Sequence, residues 1–253
     1  MARKIIIINF KGGVGKTVSS LSITAALAKN KKRVLLIDND PESHLTKLLR
    51  IYQRDSVNTI YGVYKGQKEL KDILIKANNY YVAPSHKDLA GALVELNDYE
   101  DKNFILKNAI EPLADYFDYI IIDSASQYNL FSVNGFIASK EVFICCQPEY
   151  LSLSALNDLI DTVKRCAIPS RNPDLKITGA FCTLFHTRRS SNREAYELLG
   201  KHYPDITFKT IIRNTVELAD FPSHGIDIFQ YKPFSSGARD FLKLTSEIIK
   251  QEK

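Results

Sequence analysis

Cysteine is scarce in this chain of 253 residues: Cys145, Cys146, Cys166 and Cys182 are all there is. None forms a C-x-x-C pair of the metal-binding kind. Cys145 and Cys146 fall inside an apolar run, where they read as small core residues. This usage fits reduced thiols in the cytoplasm better than a disulfide framework. Histidine is nearly as sparse. His44, His86, His186, His202 and His224 show no metal-ligand spacing and read as surface or capping residues. Long apolar runs are missing too. Residues 5–8 are four consecutive isoleucines, against about 7–15 apolar residues for a signal-peptide core and about 18 for a membrane span. There is no internal repeat, no low-complexity segment and no Pro/Gly/Ser linker. One α/β domain over residues 1–253 is expected. Nor is there a strong charge of either sign: 34 basic against 29 acidic residues leaves +5. That balance is compatible with nucleic acid or an anionic membrane as partner and argues for neither.

What is present is ordinary globular composition, 45% hydrophobic and 25% charged, which excludes disorder, collagen and coiled coil as the main architecture. Short β-branched runs alternate with longer helical patterns. Strands are expected at 4–9, 33–37, 80–83, 119–122, 142–146, 176–182 and 207–211. Helices are expected at 16–29, 70–77, 89–96, 104–116, 130–138, 152–166, 192–202 and 235–250, the last opened by Ser235 and Ser236 as caps. Several strands are apolar without alternation, as central parallel strands are. The pattern predicts a doubly wound, mostly parallel sheet flanked by helices.

The strongest local signal is Asn9-Phe10-Lys11-Gly12-Gly13-Val14-Gly15-Lys16-Thr17. It follows a strand and opens a helix, which is the context of a phosphate-binding loop. Glycines let successive backbone N–H groups turn inward around phosphate oxygens. The helix N-terminus adds partial positive charge. Lys16 is placed to reach the β- and γ-phosphates of a nucleotide and the Thr17 hydroxyl to bind Mg²⁺. Two further strands end in acid: Asp38 and Asp40 after one, Asp123 after the other. Carboxylates beside a phosphate loop suit a nucleotide hydrolase, although Asp38 and Asp40 could also cap the next helix.

The loop departs from G-x-x-x-x-G-K-[ST], because Phe10 stands at the first glycine and Lys11 precedes Gly12-Gly13. Lys-Gly-Gly-x-Gly-Lys-Thr resembles the deviant phosphate loop of the ParA/MinD ATPases. Asp38-Asn39-Asp40-Pro41 resembles that group's second motif. The stretches 84–92, 208–212, 221–225 and 231–238 resemble the ParA/Soj branch, so the likeness runs nearly from end to end. The chain opens on its first strand, like the short ParA type without an N-terminal DNA-binding domain.

The resemblance implies a P-loop-like fold and a cytoplasmic ATPase that uses ATP and Mg²⁺ and lies on the nucleoid when ATP-bound. It implies a homodimer with ATP sandwiched, bound to double-stranded DNA without sequence preference. It also implies a ParB-like or other adaptor that stimulates hydrolysis, and a plasmid, chromosome or other cargo that is positioned or segregated. No stable membrane anchor is implied. Lys11 becomes the lysine that crosses the dimer to the facing nucleotide. Asp40 orients the attacking water, while Asp38 and Asp123 join Thr17 around Mg²⁺. Catalysis falls to Lys11, Lys16 and Asp40. Nucleotide contacts fall to Lys11, Gly12, Gly13, Val14, Gly15, Lys16, Thr17 and Val18, with Thr183, Arg213 and Thr215 at the adenine end, and DNA contacts to Arg188, Arg189 and Arg193. The chain departs from the family at Glu42-Ser43-His44 (usually Gln-Gly-Asn), Ser124-Ala125-Ser126 (usually Thr-Pro-Pro), Arg213-Asn214-Thr215 (usually Pro-Arg-Asn) and Glu217 (often arginine). Two alternatives stand beside this reading: a MinD-like membrane switch, which needs an amphipathic helix beyond the fold while the apolar face of the last helix reads as core-facing, and a metabolic enzyme of the same superclass that phosphorylates a small acid.

Overall fold

The first strand, β1 (Arg3–Ile8), divides its isoleucines between two cores: Ile5 and Ile7 enter one, Ile6 and Ile8 the other. A strand buried on both faces belongs inside a parallel sheet. It lies there in the computed structural model, which describes residues 1–148 and 153–252. The further strands are β2 (Val34–Asn39), β3 (Ile75–Ala77), β4 (Tyr80–Ala83), β5 (Tyr119–Ser124), β6 (Glu141–Cys146) and β7 (Lys176–Cys182). They form a seven-stranded sheet in the order β3-β4-β2-β5-β1-β6-β7. Every neighbouring pair is parallel except β3 with β4.

The helices are α1 (Lys16–Lys29), α2 (His44–Leu48), α3 (Ile60–Tyr64), α4 (Ala92–Glu95), α5 (Ile105–Ile110), α6 (Leu130–Ala138), α7 (Leu153–Cys166), α8 (Ser190–His202), α9 (Val216–Asp220), α10 (Ile228–Tyr231) and α11 (Ser236–Lys250). On one face α1 and α11 pack over Ile5, Ile7, Leu36 and Ile121. On the other, residues from α5, α6, α7 and α8 cover Ile6, Ile37 and Ile122. The apolar stripe of α11 (Phe241, Leu244, Ile248) is fully buried in the first of these cores. Among the described residues, no helix is long and apolar enough to cross a membrane.

Four expectations from the sequence give way. The segment 70–77 is no single helix: a 3₁₀ turn over Leu70–Ile73 leads into β3, which pairs antiparallel with β4. Asn78 supplies the cause. It takes φ +53°, a left-handed conformation that asparagine tolerates and a two-residue hairpin requires. The helix expected at 104–116 ends early. Ile110 closes α5 and a 3₁₀ turn with Pro112 follows. The segment 207–211 is no strand. It meets β7 only at an isolated Ala180–Thr207 bridge, because the Glu247 carboxylate accepts the backbone N–H of Lys209 and of Thr210, each at 2.8 Å, where a strand partner would sit. Likewise 89–96 divides into a 3₁₀ turn and the short α4. Ser152, the expected start of the helix at 152–166, lies outside the described residues.

Phe208, in the failed strand, instead places its ring edge-on to Phe143, with centroids 5.3 Å apart. That packing uses the bare backbone of Gly179, where a Cβ would come within 2.3 Å of Phe208 and 2.8 Å of Phe143. Gly179→Ala is therefore expected to destabilise the fold by about 1–3 kcal/mol through overpacking. Urea unfolding should show a lower midpoint at unchanged slope. An unchanged midpoint would mean that the Phe208 segment yields freely.

Candidate nucleotide-binding site

The loops that follow β1, β2, β5 and β7 all leave the sheet at the carboxyl ends of its strands. That is where open α/β sheets bind ligands, and β1 lies where the chain order reverses. The loop after β1 is drawn tight by left-handed glycines, with φ +74° at Gly13 and +85° at Gly15. Gly15 is the N-cap of α1, so the N–H groups of the first helical turn face the loop. Asn9 braces its base, donating from Nδ2 to Cys145 O (2.8 Å) and accepting the Lys11 N–H (2.9 Å).

Lys16 is nearly buried. Its Nζ donates to Lys11 O (3.1 Å) and to Ser126 Oγ (2.8 Å). Burial lowers the pKa of this ammonium, while Asp123, Cys145 and Asp40 act to raise it. An ammonium held by neutral oxygens in a part-buried cradle is ready to exchange them for phosphate oxygens. The Lys11 side chain is exposed at the mouth of the loop.

Asp38 and Asp123 sit opposite each other in the β2–β5 register. Both are fully buried, and burial pushes both carboxyls up, Asp38 to about 8 and Asp123 to about 6. Their surroundings differ. Asp38 Oδ2 accepts from Thr46 N (2.9 Å) and Thr46 Oγ1 (2.6 Å), and its Oδ1 accepts the Asp40 N–H (3.3 Å). It thereby ties β2 to α2. Asp123 Oδ1 accepts from Ser20 Oγ (2.8 Å), and the neighbouring Thr17 hydroxyl helps hold this carboxyl down against burial. Asp123 Oδ2 is buried with no partner. A lone carboxylate oxygen next to a threonine hydroxyl fits a hard divalent cation, which takes oxygen ligands and few carboxylates when phosphates share it.

Asp40 lines an open cleft of about 780 Å³ together with Gly12, Gly13, Gly15, Lys16, Thr17, Val18, Ser126 and Leu184. Its Oδ1 accepts the Glu42 N–H (2.9 Å), and its carbonyl accepts from Ser85 Oγ (2.8 Å). The residues expected at the adenine end separate. The Thr183 hydroxyl lies under the loop, 2.6 Å from Val14 O. Arg213 commits its guanidinium to Asp240 through contacts of 2.8 and 2.7 Å. Thr215 lines a second, smaller cavity of about 230 Å³ with His186, Thr187, Arg188, Arg213 and Asn214. Arg188, Arg189 and Arg193 are exposed at the start of α8.

Sequence reasoning missed three contributors. Ser126 holds the phosphate-loop lysine. Cys145, read as core, donates its thiol to Val14 O (3.1 Å) beneath the loop. Leu184 lines the cleft at φ +51°, a strained backbone for a leucine. Only the serine stood in a noticed position, the turn that lacks prolines.

A family model described as an AAA domain matches residues 2–177. Soj, the chromosome-partitioning ATPase of Treponema pallidum (strain Nichols), is 35% identical over 254 residues, covering 100% of this chain and 99% of that protein. Soj of Bacillus subtilis (strain 168), a sporulation initiation inhibitor protein, is 38% identical over 251 residues, covering 98% of each. The chromosome partitioning protein ParA of Myxococcus xanthus (strain DK1622) is 35% identical, covering 100% and 89%. The chain belongs to the ParA/Soj family of ATPases. Solved structures agree on the fold. Cobyrinic acid a,c-diamide synthase of Mycobacterium smegmatis, with bound ADP and magnesium, superposes with a TM-score of 0.87 at 27% identity over 100% of this chain and 96% of that one. The cell division ATPase MinD of Pyrococcus furiosus gives 0.81 at 24% identity over 99% and 100%.

Proposed function

We propose that this ParA/Soj member is a Mg²⁺-dependent ATPase acting as a single domain over residues 1–253. Its ATP-bound form closes into a homodimer, binds duplex DNA without sequence preference, and positions or segregates a plasmid, chromosome or other cargo until an adaptor protein triggers hydrolysis. The observation that carries this reading is the contrast between two lysines of one loop. Lys16 is buried within its own loop, and Lys11 is presented outward, where a second subunit would meet it.

Backbone N–H groups from Gly12 to Val18 and the Lys16 ammonium bind the triphosphate. Thr17 and Asp123 would hold Mg²⁺, which supplies positive charge to the phosphate oxygens, and Ser20 orients Asp123 for it. Asp38 serves that shell through its neighbours, since its own oxygens are engaged by Thr46 and Asp40. Asp40 orients the attacking water and takes up its proton as the water oxygen bonds the γ-phosphorus and the bond to the ADP β-oxygen breaks, releasing ADP and phosphate. Lys11, arriving from the facing subunit, stabilises charge on the transferring phosphoryl group only in the closed dimer. Thr183 supports the loop from below, and Thr215 and Arg213 border the smaller cavity, which suits the base.

The membrane alternative gains no support from α11, because the apolar face of that helix is packed in the core. Full-length identity to partition ATPases favours DNA positioning over small-acid phosphorylation. Duplex DNA meets Arg188, Arg189 and Arg193. Arg213 contributes little there, being neutralised by Asp240. Affinity for a random duplex, measured with ATP and with ADP across a salt series, tests the reading. Each phosphate contact adds about 0.9 to the slope of log K against log salt. Charge reversal of Arg188 and Arg189 together should weaken binding to every sequence and flatten the slope by about 1.8 per subunit, about 3.6 for the dimer. A wild-type ATP dimer with no affinity for duplex DNA at low salt would refute the DNA part of the proposal.

A further inference from the structure

The turn between β2 and α2 surrounds Asp40 with a cluster that none of these roles uses. His44 stands at the first position of α2 with one ring nitrogen toward each of two carboxylates. Its Nδ1 lies 3.5 Å from Asp40 Oδ2, and its Nε2 lies 3.2 Å from Glu42 Oε2. The backbone that makes this possible is strained. Ser43 sits at φ +55°, ψ +36°, a left-handed conformation rare outside glycine. It brings the side chains on either side of it, Glu42 and His44, together. The turn is closed by the Ser43 N–H on Asp40 O (2.9 Å), and Lys47 Nζ donates to Glu42 O (2.6 Å). Asp40, Glu42, His44 and Lys47 all line the phosphate-loop cleft.

We propose that His44 is a positioning residue for hydrolysis, fixing the Asp40 carboxylate at the angle from which it orients the attacking water, with Glu42 fixing His44 in turn. This rests on the reading of Asp40 given above. The backbone of Asp40 is already anchored through Ser85, and its Oδ1 is taken by the Glu42 N–H. The freedom that remains is a swing of Oδ2, and His44 is the side chain that meets that oxygen. A purely structural role is a poor account of this histidine. Its side chain is 57% exposed, and exposed ion pairs add little stability. Strained backbone held by specific contacts beside reacting groups is instead what functional sites show.

The test is steady-state ATP turnover of the full-length protein with Mg²⁺, comparing wild type with His44→Ala, His44→Asn and Asp40→Ala. His44→Ala should lower kcat roughly tenfold, a positioning loss, while KM for ATP moves by less than about twofold. His44→Asn keeps a polar nitrogen near the place of Nδ1 and should recover kcat to within about threefold of wild type, as retained orientation requires. Thermal unfolding should be the same for all four proteins. An unchanged kcat in His44→Ala, or a loss that Asn fails to recover or that KM shares equally, overturns the role of His44 provided Asp40→Ala is inactive. If Asp40→Ala itself turns over normally, the reading of Asp40 fails first and the positioning role with it.

Discussion

Lys16→Ala is expected to weaken ATP binding to the isolated subunit severely. In the protein this ammonium is already stripped of most of its water and held by two neutral oxygens, Lys11 O and Ser126 Oγ. Its desolvation has therefore been met during folding, so its pairing with phosphate is a net gain. The same charge partly offsets the buried carboxylate of Asp123, whose pKa it lowers. Truncation thus subtracts attraction for the triphosphate and leaves an acid less compensated beside it. Losing one partner of a buried charged pair costs about 2–5 kcal/mol, or about 30- to 5,000-fold in affinity. Calorimetric titration with Mg-ATP should show weakening in that range. A dissociation constant within a factor of a few of wild type would place the principal phosphate contact elsewhere.

Asp40→Ala is expected to bind ATP as well as wild type and to fail in turnover by about 10²-fold or more, the usual loss for a group that positions or deprotonates a nucleophile. The geometry separates these effects. Asp40 borders the cleft, and its own Oδ1 is occupied by the Glu42 N–H rather than held for phosphate. Binding therefore has little to lose. The variant should accumulate in the ATP-bound state, seen as unhydrolysed nucleotide retained on the protein after rapid filtration. Normal hydrolysis would move the water-orienting role to another acid.

Much of this architecture was legible because it depends on local pattern. The helices at 16–29 and 130–138 appear at the residues expected. One is announced by Gly15 followed by a helical run. The other is held by Asn129, whose side chain caps the first turn in a box with Ser132. The glycines, Lys16 and the three strand-end aspartates follow from the same local logic. What stayed hidden depends on partners distant in the chain. Ser126 reaches Lys16 across 110 positions, and Cys145 reaches Val14 across 131. No spacing rule connects such residues, and a serine after a strand or a cysteine within one has ordinary explanations. The segment 207–211 misled for a related reason. Its β-branched and aromatic composition suits a strand, but a glutamate from α11 takes its backbone donors. The pairing of Arg213 was hidden likewise, since its partner Asp240 lies on the same distant helix.

The central claim is that Lys11 serves a second subunit and Lys16 its own. Sedimentation velocity on the hydrolysis-deficient Asp40→Ala protein with Mg-ATP, with and without an added Lys11→Ala substitution, addresses it directly. Asp40→Ala alone should sediment as a dimer with ATP and as a monomer with ADP. Adding Lys11→Ala should return it to a monomer with ATP, even though calorimetry still detects nucleotide bound. A Lys11→Ala protein that dimerises with ATP as readily as its parent would contradict the account.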